Sequence, residues 1–175
     1  MRILLVILVC MTFGLGANAQ SKCPDMPKEF SWNTAADYQR DRALVKDVLQ
    51  WLCKTPMGLD IQKRGEANYF VMQWLSGTPE FTLDFSTQIL PFAKDDESLL
   101  SPIIHGMALY VMDHPSEKDQ VKLHVKGLET LARLVEQSEE LSENKELKPM
   151  MKAYRKGKIK EYAQQNLAQT KGNSH

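Results

Sequence analysis

The sequence has no excess of either charge: 22 basic side chains balance 22 acidic ones. That balance removes the electrostatic case for a nucleic-acid partner, because such partners are held by clustered Lys and Arg. No phosphate-cradling glycine loop, zinc ribbon or nucleophile elbow is present, so the best-marked nucleotide, metal and hydrolase chemistries have no anchor here. No cofactor is expected. Cysteine is scarce, with three in the chain, and only one long apolar run occurs, at the start. The next richest stretch, Ile103 to Met112, falls well short of the roughly 20 residues of a membrane span. It also contains Gly106, so it reads as a buried helix and no integral membrane segment is expected after the first run.

What is there begins with an export signal. Arg2 gives a positive start, Ile3 to Val9 an uninterrupted apolar core, and Ala17-Asn18-Ala19 the small-x-small pattern of a cleavage site. Residues 1–19 are therefore expected to be removed between Ala19 and Gln20, and the product to be periplasmic or secreted. Val9-Cys10 lacks the small residue of a lipoprotein site, so a soluble product is expected. Loss of Cys10 leaves Cys23 and Cys53, which in an oxidising compartment predicts one disulfide. The bridge demands that an arm of residues 20–33, kept extended by Pro24 and Pro27, run back along the first helix.

The rest of the chain has helical period. Leu44, Val45, Val48, Leu49 and Leu52 form one stripe over 34–53, with Thr34 and Asp37 as a capping box. A second helix is predicted from Ile61, capped by Asp60, to Leu75. Between Gly77 and Glu97 the period changes, and Phe81, Leu83 and Phe85 alternate with polar residues as in an extended segment. A third helix is predicted to begin near Ser98 or Ser101, with Ser101-Pro102 suited to a cap and first position, and to end at Asp113 before Pro115. A long helix follows from Ser116 or Asp119 to about Leu141, then two short ones hinged at Gly157. The fold class is all-α: an irregular orthogonal bundle of about five to six helices, with an extended arm and an extended connection near 80–95. Residues 34–168 form one domain and 169–175 a disordered tail. Within it, Val48–Pro56 repeats as Val71–Pro79 at six of nine positions, each copy placing Gln-Trp-Leu in a last helical turn and Thr-Pro at its end.

Few constellations carry chemistry. Asp113, His114 and Glu117 cluster at one inter-helix turn and are weak metal-ligand candidates, since a site needs three or four converging groups. Ser101 and His105 share a helix face at four-residue spacing, but no orienting acid or oxyanion hole is identifiable beside them. Asp95-Asp96-Glu97 lacks the spacing of a calcium loop. No catalytic residue is therefore assigned. Phe70, Trp74, Met107, Tyr110 and Met112 are candidates to line an adaptable apolar pocket.

Ala67-Asn68-Tyr69-Phe70 leading into Trp74–Pro79, the helix around His105-Gly106-Met107-Ala108, and Lys156-Gly157-Lys158 with Tyr162 carry a resemblance. In these segments the chain resembles uncharacterised exported all-helical proteins of Gram-negative bacteria. The resemblance implies a periplasmic or secreted helical domain and supplies no catalytic residues. The leading expectation is a non-catalytic exported domain that binds a partner protein or a small apolar ligand. The alternatives are a periplasmic chaperone or inhibitor-like protein, and a small hydrolase using the His and Asp clusters.

Overall fold

Thr34 opens the first helix as its sequence predicts. Its hydroxyl accepts from the Asp37 N–H, and the Asp37 carboxylate accepts from the Thr34 N–H at 2.9 Å. The computed structural model describes residues 22–83, 92 and 97–172. In that range the chain folds into α1 (Ala35–Lys54), α2 (Ile61–Gly77), α3 (Leu100–Asp113), α4 (Gln120–Glu136), the single turn α5 (Glu139–Ser142), α6 (Lys148–Arg155) and α7 (Ile159–Gly172). No strand occurs among the described residues, and the architecture is an all-helical bundle. Residues 1–19, expected to be a signal, the acidic Asp95-Asp96 and most of the 80–95 connection lie outside the described residues.

The repeated Thr-Pro pairs end α1 and α2 by one mechanism. A residue before proline is driven to extended backbone, and Thr55 and Thr78 adopt ψ of 129° and 131°. Each still donates its N–H into the last turn, to the carbonyls of Trp51 and Trp74. The predicted hinge at Gly157 is a left-handed helix end with φ 67°. Gly157 N–H donates to the Tyr154 carbonyl and Lys158 N–H to that of Ala153, the paired bonds of a Schellman stop.

Several expected boundaries shift. α4 ends at Glu136 instead of Leu141, because Ser138 caps the Leu141 N–H and starts the separate turn α5. A 3-10 turn over Glu97–Leu99 precedes α3, so Ser101 sits inside the helix instead of capping it. Asp60 occupies the N-cap of α2 in left-handed backbone, φ 54°, and its side chain makes no cap bond. Residues 169–172, expected in a disordered tail, extend α7, while 173–175 lie outside the described range.

α3 is the hub. Ala108 and Met112 on one side join the core of α1, α2 and the arm, centred on Val48, Leu49, Phe70 and Trp74. Ile103, Met107 and Val111 on another side join α4, α6 and α7 through Leu128, Leu131, Met150 and Ala163. Burying each large apolar side chain contributes roughly 1.5–3 kcal/mol before conformational entropy is charged against it. The α3–α4 contact is close enough to need glycine on both sides. A Cβ on Gly106 would stand 2.8 Å from the Lys126 carbonyl oxygen, and one on Gly127 2.7 Å from that of Ile103.

The arm runs back along α1 as the sequence requires, but in the groove that α1 makes with α2. Phe30 meets Phe70 edge-on at 5.0 Å, and Trp32 stacks on Tyr38 at 6.0 Å while its indole N–H donates to Asp41. The disulfide expectation is corrected: Cys23 and Cys53 are both free, buried thiols. The charges around Cys23 are those of Lys63, Asp60, Asp25 and Glu66, whereas Cys53 has Arg133 and Arg64. Burial raises the pKa of both thiols, that of Cys53 to about 12.

Candidate functional site

Where α1 ends and α2 and α3 begin, the three helices leave a cleft of about 300 Å³. Each wall has a sequence cause. Pro56 stops α1, and the turn Met57–Asp60 reverses the chain into α2. Arg64 then reaches back, donating to the carbonyls of Leu52 at 2.8 Å and Thr55 at 2.9 Å. It satisfies C-terminal carbonyls of α1 and places a half-buried cation where the helix dipole favours one.

The rest of the polar lining is uncharged. His105, on α3, is 2% exposed, and its Nε2 lies 2.9 Å from Asn68 Oδ1 on α2. With the amide oriented that way, Nε2–H donates and Nδ1 is an acceptor, buried without a hydrogen-bond partner among the described residues. Burial, with a smaller push from Arg64, lowers the imidazole pKa to about 3. Ser98 and Ser101 complete the polar lining. Apolar lining comes from Met57, the buried Pro102 and Ile61, the last 72% exposed. Gly65 contributes to the wall, and a Cβ placed there would meet nothing within 4 Å.

Ser101 and His105 thus share a cleft, as their spacing suggests, and Asn68 joins them. Their chemistry is poor for catalysis. An imidazole held neutral down to about pH 3 is a feeble base, and its structured contact is an amide instead of a carboxylate. What the arrangement does well is present neutral hydrogen-bonding groups under an apolar lip, the usual composition of a small-molecule pocket.

The other predicted site residues go elsewhere. Asp113 pairs with Lys46 of α1. His114 stacks on Tyr110 at 4.2 Å and bonds its carbonyl. Glu117 accepts from the Lys118 and Asp119 N–H groups and pairs with Lys122 at 2.7 Å. Among the described residues no three His, Cys, Asp or Glu side chains converge as metal ligands. The five residues offered as an apolar pocket are divided between the two cores. Phe70, Trp74 and Met112 are packed in the α1–α2 core, and Met107 with Tyr110 in the α4 core. Only Phe70 of the five reaches a described cleft, that of about 440 Å³ beneath the arm. Trp74 donates its indole N–H to the Tyr38 carbonyl at 3.2 Å, a bond that fixes it as structure.

Arg64, Asn68 and Gly65 were missed from sequence. A glycine inside an otherwise periodic helix was the available signal for the last of these. No protein family, curated protein or solved structure matches this chain.

Proposed function

We propose that this protein is an exported, non-catalytic helical domain that binds a small, largely apolar ligand bearing an uncharged hydrogen-bonding group. The observation that carries the reading is the cleft at the start of α2 and α3. Its polar lining of His105, Asn68, Ser98 and Ser101 is neutral, and Met57 and Ile61 add apolar surface. Arg64 also lines the cleft, but two of its N–H groups are committed to the Leu52 and Thr55 carbonyls, so the neutral groups are the ones offered to a ligand and they suit an uncharged hydrogen-bonding partner. Export rests on the apolar run Ile3–Val9 and on Ala17-Asn18-Ala19.

Amide-resolved NMR of the purified protein tests the assignment, with benzamide and N-butylacetamide as neutral probes and benzoate as the charged control. The expected result is movement of the Gly65, Asn68, Ser101 and His105 signals with the neutral probes and little with benzoate. No movement at these positions, or a benzoate response of equal size, would overturn it. Ser101 beside His105 favours the runner-up, a small hydrolase. Turnover of p-nitrophenyl acetate that is abolished by Ser101→Ala would establish that reading in place of the first.

A further inference from the structure

Lys148, Lys152 and Lys156 lie four residues apart along α6 and its C-cap, and all three are exposed. Helical geometry sets them in one row, about 6 Å apart along the axis. Among the described residues no carboxylate lies within ion-pair distance of any of them, although Glu139, Glu140, Glu143 and Glu146 are exposed a few residues away. Like charges at this spacing oppose the helix that carries them. The row borders a cleft of about 480 Å³ between the end of α4, the turn α5 and α6. Val135 and Met151 lie within its lining, and Arg155, joined to Glu136 at 3.4 Å, adds a fourth cation. The methylene stems of the lysines lengthen the apolar lining while their ammonium groups stay in water.

Concave apolar surface edged by unneutralised cations matches one ligand chemistry. We propose that this cleft binds a single-chain anionic amphiphile, its carboxylate or phosphate head on the lysine row and its acyl tail against Val135 and Met151. The site shares no residue with the His105 cleft, so the two readings stand or fall separately. A flat anionic surface would engage the row but leave the recessed apolar lining unused. The net charge of zero gives no general attraction for polyanions.

Calorimetric titration of the purified protein with decanoate, octanoate, decyl phosphate, decanol and inorganic phosphate, each below its micelle concentration, decides the matter. Decanoate or decyl phosphate should bind at least tenfold tighter than decanol and inorganic phosphate. The tighter of the two heads names the source as free fatty acid or monoacyl phosphate. Decanoate should exceed octanoate by roughly fifteenfold, because each of the two extra methylenes adds about fourfold, equivalent to ~0.8 kcal/mol. The exposed pair of substitutions Lys152→Gln and Lys156→Gln should weaken decanoate at least tenfold without lowering Tm. Equal binding of decanol, inorganic phosphate binding as tightly as decanoate, or an unchanged affinity in the double variant would overturn the proposal. So would the absence of any heat at millimolar decanoate, or a preference for an acidic peptide over decanoate.

Discussion

His105 is the residue whose environment says most. Its imidazole has an ordinary pKa of 6.5 and is held at about 3 by burial. Between those values the unfolded chain binds a proton that the native state does not. Its stabilising contribution is therefore complete above about pH 6.5 and declines as pH falls toward 3, by up to ~1.4 kcal/mol per pH unit. Urea denaturation of the wild type and of His105→Asn at pH 7, 5.5 and 4.5 isolates this proton. The wild type should lose more stability on acidification than the variant, and parallel losses would refute the burial argument. Cys53 has the opposite sense, since burial pushes its thiol up to about 12. Native protein lacking residues 1–19, and so Cys10, should react slowly with a thiol reagent, and the same protein unfolded should react with two equivalents. Zero equivalents after unfolding without reductant would restore the disulfide. The sequence paired the cysteines by counting them and by the reach of the arm, and the structure leaves both thiols free. Whether two buried sulfurs meet depends on tertiary packing that neither argument contains.

At the scale of elements, punctuation was legible and close approach was not. Thr34 with Asp37, the two Thr-Pro ends and Gly157 act through bonds within a few residues of themselves, so local sequence specifies them. The partners of Arg42 and Lys46 are remote. Arg42 pairs with Glu80 and donates to the Met112 carbonyl at 2.8 Å, while Lys46 pairs with Asp113. Both lie off the apolar stripe of α1, yet both are half-buried ties to the end of α3. The glycines divide by what surrounds them. Gly106 sits against the backbone of α4, so Gly106→Ala should lose about 1–3 kcal/mol despite alanine's better helix propensity. Gly65 has open space, so Gly65→Ala should gain up to about 1 kcal/mol. Chemical denaturation of the two variants side by side reads the signs. A gain at Gly106 would mean that α3 and α4 stand further apart than described.

For the whole molecule, a central α3 joins two cores and leaves clefts where neighbouring helices begin and end. The all-helical class and the order of elements were legible because helical periodicity and breakers run through the chain. The cleft was half legible. The Ser101–His105 spacing placed two of its groups on one face, but Arg64 and Asn68 come from another helix and have no signature of their own. Gly65 separates stability from binding, which makes it the sharpest probe of the central claim. A leucine there gains helix propensity over glycine and adds bulk at a position that lines the cleft. Thermal unfolding of wild type and Gly65→Leu, each with and without a neutral amide at a hundredfold excess over its Kd, is the direct measurement. The account predicts wild-type stabilisation of about 2.7 kcal/mol, against a variant that is at least as stable alone and gains nothing from the ligand. Equal stabilisation of the two proteins would contradict it.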